Sequence, residues 1–249
     1  MRLSQPNARS PVVTTIRFSP PLSRSIPVAP AAAQSSALVR RALSVTVAAI
    51  GLVLTAPLMA AIALAIKLTS RGPVFFKQTR IGLDRRVDAP FPPHNRRGSD
   101  CGGAPFLIYK FRTMRTNGHG PNGAEQVWAQ PNDPRVTPIG RFLRLYRLDE
   151  LPQLLNVLRG DMDIVGPRPE QPAIFARLRL EIERYQERQR VRPGITGWAQ
   201  VNQHYDSCIA DVRSKLAYDL EYIRRQSVRE DLRIMARTLP VVLLKLGAW

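Results

Sequence analysis

The chain has 249 residues, 44% of them hydrophobic, which allows one sizeable core and excludes wholesale disorder. Thirty-seven Lys and Arg against 19 Asp and Glu give a net charge of +18, so the partners to expect are polyanions: nucleic acid, anionic lipid or phosphorylated substrates. Cys101 and Cys208 are unpaired in sequence and His94, His119 and His204 are scattered, which excludes a disulfide framework and a Cys- or His-rich zinc site and leaves oxygen-bound metals.

Residues 1–39 form a tail rich in Pro, Ser and Ala, for which disorder is expected; it lacks the amphipathic period of a transit peptide. No acidic residue precedes Asp84, so residues 1–83 carry +10 of the +18. These charges bracket the uncharged stretch Ala42–Ile66, whose 25 residues are long enough to cross a bilayer and have too little polar face for an ordinary core helix. Pro57 lies inside it and removes one backbone hydrogen bond at a cost of about 3 kcal/mol. Arg40 and Arg41 precede the stretch, while Lys67, Arg71, Lys77 and Arg80 follow it, and positive charge favours the cytoplasmic side at both ends. Residues 40–70 are therefore expected to form a re-entrant helix, broken near Thr55-Ala56-Pro57, with Thr55 rebonding a carbonyl that the proline frees.

Residues 71–249 have the pattern of a cytoplasmic domain. Val74–Arg80 and Phe106–Arg112 are predicted strands, separated by a polar, Pro/Gly-rich loop at 84–104. Residues 115–138 are mostly irregular. Helices are predicted at Ile139–Leu148, at Asp149–Leu158 with Pro152 in its first turn, at Pro172–Arg190 and at Val212–Arg225. Leu232–Leu246 alternates apolar and cationic residues in the manner of a helix lying on a membrane or on the core. The fold class expected is α/β: a re-entrant membrane helix plus a small domain of short strands and membrane-surface amphipathic helices.

Four segments can carry chemistry. Asp149-Glu150 follows Arg144 and Arg147; adjacent acids at a helix start are ordinary capping residues, yet they also suit a division into nucleophile and Mg²⁺ ligand. In Gly166-Pro167-Arg168-Pro169 two prolines fix the direction of an arginine suited to bidentate phosphate recognition; Pro-Arg-Pro alone is as well explained by a surface turn, and Asp161 and Asp163 by turn acids. Arg192-Pro193-Gly194-Ile195-Thr196-Gly197 combines a cation with glycines that permit close backbone approach, and the adjoining Trp198 suits a core equally well. Lys110-Phe111-Arg112-Thr113-Met114 presents two cations on a strand.

In this order the segments resemble the bacterial sugar transferase family, the monotopic phosphoglycosyl transferases. The resemblance covers roughly residues 40–245. It rests on the proline-containing hydrophobic segment, Gly72-Pro73-Val74-Phe75-Phe76-Lys77-Gln78, Tyr109-Lys110-Phe111-Arg112-Thr113-Met114, Leu148-Asp149-Glu150-Leu151, and the two glycine-proline motifs at 166–169 and 192–197. It implies transfer of a sugar-1-phosphate from a UDP-sugar to undecaprenyl phosphate at the cytoplasmic face of the bacterial inner membrane, starting a surface glycan. By the same resemblance Asp149 attacks the sugar-bearing phosphate and releases UMP, and Glu150 binds Mg²⁺, with Mn²⁺ as the alternative. Lys110, Arg144 and Arg168 fall on cationic positions of the family's motifs, for which phosphate handling is implied, and Asp219 and Asp231 on further acidic ones; Arg112 and Arg192 are added as phosphate-binding candidates from their own segments. Inner-membrane lipid is an implied partner, nucleic acid is not, and a homodimer is compatible. The chain departs from the family at Ser44 and Thr69, where Asp is usual, at Ala56-Pro57 in place of Ser-Pro, in the longer 84–104 loop, and at Gln203-His204 in place of Gly-Arg. Two competing readings are a membrane-tethered nucleic-acid-binding protein, which the charge alone supports, and a metal-dependent phosphohydrolase using the same acids.

Overall fold

The computed structural model describes residues 32–84, 102–115, 133–203 and 209–243. Residues 1–31 of the expected tail, most of the 84–104 loop and of the 115–138 stretch, both cysteines and all three histidines lie outside these residues; residues 32–39, expected to be disordered, instead form the first turns of a helix. The described chain mixes helices with short strands around one long apolar helix.

That helix, α1 (Ala32–Thr69), is about 57 Å long at 1.5 Å per residue and contains Pro57. Helical geometry continues through the proline, so the expected interruption does not divide the helix. Thr55 Oγ1 donates to Gly51 O at 2.7 Å; the carbonyl that Pro57 leaves without a donor is that of Val53, so Thr55 does not play the expected rebonding role. Only 11% of the most apolar window of α1 is buried, which rules out a core helix, and Ile50, Val53, Leu54, Leu58, Leu64 and Leu68 are exposed.

Both ends of α1 are nevertheless tied to the same globular body. Near its start Arg40 Nε donates to Asp231 Oδ2 at 2.8 Å and its Nη2 to the Tyr222 hydroxyl at 2.7 Å. Arg41 donates to Val157 O, Met162 O and Asp163 Oδ1. Ser44 supplies an acceptor for Ile164 N at 3.3 Å, and Ala48 enters a core with Ile108, Val157, Met162, Val165, Trp198, Tyr222 and Ile234. Beyond Pro57, Ile62 and Ile66 are buried against Phe111 and Leu143, with Met59, Leu148 and Leu151 packed around them. At the C-terminus of α1, Arg112 donates to Ser70 O, Ser70 Oγ and Arg71 O.

β1 (Phe75–Ile81) and β2 (Pro105–Phe111) form an antiparallel pair with Phe76 opposite Lys110 and Lys77 opposite Tyr109, within a residue of the predicted strands. α2 (Pro138–Leu145) is capped by Thr137, whose Oγ1 accepts from Gly140 N at 3.0 Å. A 3₁₀ turn over Leu148–Glu150 then precedes α3 (Gln153–Arg159). The single helix predicted from Asp149 is thus corrected: the turn closes with Leu151 N to Leu148 O, and Pro152 has no N–H with which to continue an α-helical ladder back to that carbonyl.

β3 (Asp163–Val165) and β4 (Gly194–Thr196) form a parallel pair that the sequence pattern did not indicate. A Cβ on Gly166, Gly194 or Gly197 would strike neighbouring backbone. The glycines of the two motifs therefore serve the crossing of these chains. α4 (Pro172–Glu181) is shorter than predicted. Extended Ile182 is buried with Phe175, Leu178 and Tyr185, and Arg184 takes a left-handed φ of 65° before a second 3₁₀ turn, Tyr185–Arg190. α5 (Trp198–Asn202), α6 (Ile209–Arg225) and α7 (Val228–Leu243) complete the order, the last two close to expectation.

Candidate active site

The Asp149-Glu150 pair sits on the first 3₁₀ turn, whose entry is set by Arg147 in the left-handed region at φ 53°, ψ 21°. A non-glycine residue adopts this conformation at a cost of roughly 1–2 kcal/mol, of the kind found where surrounding structure fixes a site. Leu148 and Leu151, on either side of the pair, pack on the α1 segment that follows Pro57. Both acids are 8% exposed.

Their environments differ. Glu150 Oε1 accepts from Lys110 Nζ at 3.0 Å and Arg168 Nη2 at 2.5 Å, and Oε2 from Arg168 Nη1 at 3.2 Å. Burial works to raise the Glu150 carboxyl, but Arg168 and Lys110 outweigh it and hold it well below the usual carboxylate range. Asp149 accepts no hydrogen bond among the described residues; its Oδ2 lies 3.9 Å from Lys110 Nζ. Burial pushes it upward and the Glu150 charge adds to that, with Lys110, Arg168 and Arg144 opposing. Burial also lowers Lys110, against the pull of Glu150. One carboxylate is thus pinned by two cations, and its neighbour is poorly solvated and without a hydrogen bond among the described residues, a divergence of the kind that separates the tasks of adjacent acids.

The cations are held from behind. Lys110 projects from β2, and Arg168 from a loop whose backbone is fixed at four points. Gly194 N donates to Pro167 O at 3.0 Å, Arg188 Nη2 to Arg168 O at 3.0 Å, Arg80 Nη1 to Pro169 O at 3.2 Å and Ile81 N to Glu170 O at 3.0 Å. Arg144 Nε donates to Thr113 Oγ1 at 3.0 Å.

Of the residues the sequence singled out, the structure brings Lys110 and Arg168 onto the pair and places Arg144 close enough to bias Asp149. It takes four others elsewhere. Arg112 clasps the end of α1. Arg192 donates to Gly160 O at 3.2 Å and lies 3.8 Å from Asp163. Asp219 forms a buried pair with Arg188 at 2.7 Å, two bonds removed from Arg168, and Asp231 is held by Arg40.

Sequence reasoning missed the partly buried cluster of Glu170 with Lys215 at 3.0 Å and the fully buried Arg188 at 3.6 Å, and the carboxamide of Asn156, which accepts from Tyr109 N and donates to Leu107 O. Separations of 45 and 49 residues carry no spacing signal.

Among the described residues no group of three or more His, Cys, Asp and Glu is placed to hold a metal ion. The donors present fit a hard cation of the Mg²⁺ type, which is bound through one or two carboxylates and completed by substrate phosphates. Glu150 retains lone pairs beyond the three donors it accepts.

A buried carboxylate without hydrogen bonds among the described residues, beside one held by two fixed cations and packed against an apolar helix, is an arrangement suited to group transfer with an anionic substrate. The sequence pattern of the bacterial sugar transferase family matches residues 35–245, and the chain belongs to that family. It is 44% identical over 206 residues to UDP-glucose:undecaprenyl-phosphate glucose-1-phosphate transferase of Caulobacter vibrioides, covering 82% of this chain and 69% of the relative. It is 42% identical to the Escherichia coli K12 protein of the same description, over 81% of this chain and 39% of the relative. Similarity extends to UDP-N-acetylgalactosamine-undecaprenyl-phosphate N-acetylgalactosaminephosphotransferase of Aeromonas hydrophila, 41% identical over 85% of this chain and 45% of the relative. The chain therefore spans less than half the length of the last two.

Proposed function

We propose that the chain transfers a sugar-1-phosphate from a UDP-sugar to undecaprenyl phosphate, with Asp149 as nucleophile, and so begins a surface glycan at the cytoplasmic face of the inner membrane. The observation that carries the reading is the contrast within the pair: Glu150 is held by hydrogen bonds from Lys110 and Arg168, while Asp149 is buried and accepts no hydrogen bond among the described residues. An oxygen of deprotonated Asp149 attacks the phosphorus that bears the sugar. The bond from that phosphorus to the bridging oxygen breaks, and UMP leaves. An oxygen of undecaprenyl phosphate then attacks the phosphosugar on Asp149, restoring the carboxylate and giving undecaprenyl-diphosphate-sugar. Lys110, Arg168 and Arg144 offset the charge of an anion attacking an anion, in surroundings where such interactions are strong because water is largely excluded. Mg²⁺, held by Glu150 together with the diphosphate, would supply further charge neutralisation.

The membrane arrangement follows from α1. A straight crossing would separate its two ends by the bilayer, yet Arg40 and Ser44 before Pro57 and Ile62 and Ile66 after it are all tied to one domain. This supports a helix that enters and leaves by one face, bending at Pro57, with its exposed apolar side chains in lipid. The relatives include proteins described for glucose and for N-acetylgalactosamine at similar identity, so similarity leaves the sugar open.

The test is to hold the full chain in nanodiscs with undecaprenyl phosphate and Mg²⁺, supply a panel of UDP-sugars and measure UMP. Without lipid acceptor, intact-mass analysis should show a phosphosugar adduct on the wild type and none on Asp149→Asn, whose turnover should fall by on the order of a thousandfold or more. An adduct surviving in Asp149→Asn overturns the assignment.

A further inference from the structure

Asp219 Oδ2 accepts from Arg188 Nε at 2.7 Å, and the two side chains are 2% and 1% exposed. On α6 the acid stands in an otherwise apolar buried stripe with Val212, Leu216 and Leu220. Tyr185, whose hydroxyl accepts from Arg188 Nη1 at 2.6 Å, belongs to the same apolar cluster as those three residues, Phe175 and Leu178. A buried ion pair gives a fold little that apolar side chains of the same volume would not, so packing alone does not account for this one. The remaining contacts of Arg188 do. Its Nη2 donates to Arg168 O at 3.0 Å, and its Nη1 lies 3.6 Å from Glu170 Oε1, which Lys215 also holds at 3.0 Å. One buried guanidinium thus grips both ends of Arg168-Pro169-Glu170.

Pro169 offers no N–H, so the peptide plane between Arg168 and Pro169 is held through the Arg168 carbonyl. The tilt of that plane sets the direction in which the Arg168 side chain leaves the backbone. At its far end the side chain meets Glu150 as a fork, Nη2 on Oε1 at 2.5 Å and Nη1 on Oε2 at 3.2 Å, a two-point contact that tolerates little misalignment. We propose that the Asp219–Arg188 pair is a positioning device for Arg168: Asp219 orients the Arg188 guanidinium, Arg188 fixes the Arg168 carbonyl, and the Arg168 fork is thereby aimed at Glu150 and at the diphosphate that reacts beside it. Both members act from behind and are closed off from substrate. The inference rests on the transfer reading above and extends it by giving the buried acid of α6 a task other than metal binding or proton transfer.

The experiment compares full chains in nanodiscs: wild type, Arg168→Ala, a double variant carrying Arg188→Met and Asp219→Leu, and the triple variant that combines all three changes. Replacing one member of the pair alone would strand a buried charge, so both give way together to apolar side chains of similar volume. The double variant should melt within about 4 °C of wild type, while kcat per folded molecule falls on the order of a hundredfold, the effect of displacing a reacting group by about 1 Å. KM for the UDP-sugar should change by less than about threefold, because the Arg168 charge is still present to attract the diphosphate. Coupling gives the decisive reading. In the Arg168→Ala background the two further changes should lower kcat by less than about threefold, since the group they aim is already gone. Wild-type kcat in the double variant, losses that multiply in full in the triple variant, or a loss of activity that tracks a lowered melting temperature overturns the proposal. Each of these leaves the transfer reading standing so long as the wild type forms the phosphosugar adduct. Absence of any adduct in the wild type overturns the transfer reading, and this proposal with it.

Discussion

Replacing Asp231 by Ala tests whether this acid acts in catalysis or holds α1 on the domain. Asp231 accepts from Arg40 Nε at 2.8 Å and from the Tyr222 hydroxyl at 2.8 Å, with side-chain exposures of 10% for Arg40 and 4% for Asp231. The substitution leaves a buried guanidinium whose remaining bond is to Tyr222, and Tyr222 keeps Val165 O at 3.1 Å as its acceptor. Removing one partner of a buried pair costs about 3–5 kcal/mol, which for a domain of this size lowers the melting temperature by roughly 6–20 °C. Deleting both charges with Arg40→Met and Asp231→Leu should recover more than half of the loss, since an apolar replacement of similar volume leaves no uncompensated charge. Thermal unfolding in nanodiscs, with UMP release measured per folded molecule, reads both quantities. The clamp reading is refuted if Asp231→Ala melts within about 2 °C of wild type, below the shift expected for 1 kcal/mol, or if it stays folded and stops turning over.

In Asp149→Asn the melting temperature should rise at pH 7 in EDTA. The folded state raises this carboxyl above its ordinary 3.8, so the fold favours the protonated form and loses stability as pH climbs past that value. The gain should shrink toward pH 3; a lower melting temperature at pH 7 would contradict the stated burial effect. Burial acts to raise Glu170 from 4.5, but Lys215 and Arg188 bring it down to about 2. Its contribution is therefore present above pH 4.5 and lost between there and about 2, so Glu170→Gln should be destabilised at pH 7 by an amount that closes across that window in acid titration melts. Single cysteines at Ser36 and Ser70, in a variant without Cys101 and Cys208, should both resist a membrane-impermeant thiol reagent in intact cells. Pro57→Ala should expose Ser36 in a fraction of molecules, and labelling of Ser36 alone without that substitution would establish a spanning helix.

Local signals were readable where one segment suffices to produce them. The β-branched and aromatic residues of Val74–Arg80 and Phe106–Arg112 placed the two strands to within a residue, though not their antiparallel pairing, and the uncharged run placed α1. The Asp149-Glu150 pair and the Arg168 motif were visible as motifs, but their meeting at Glu150 depends on a left-handed Arg147, a residue type with no preference for that conformation. Strands of three residues, such as Asp163–Val165 and Gly194–Thr196, are too short for a period to appear, and the close crossing of Gly166, Gly194 and Gly197 resembles a phosphate loop until both chains are seen together. The destinations of Arg40, Asp219 and Asp231 were hidden for the same reason: each is set by a partner 31 to 191 residues away.

Leu148 and Leu151 seat the turn that carries Asp149 and Glu150 on the α1 segment from Met59 to Ile66. Under the proposed function, Asp149 therefore stands at a fixed height relative to the hydrocarbon, and the lipid substrate finds it by diffusing in a plane. Turnover should then follow the mole fraction of undecaprenyl phosphate in the bilayer and be indifferent to the volume of water around it. Acyl chains that thicken or thin the bilayer would raise or lower α1, and the carboxylate with it, making membrane thickness a control on the rate that no soluble effector needs to touch.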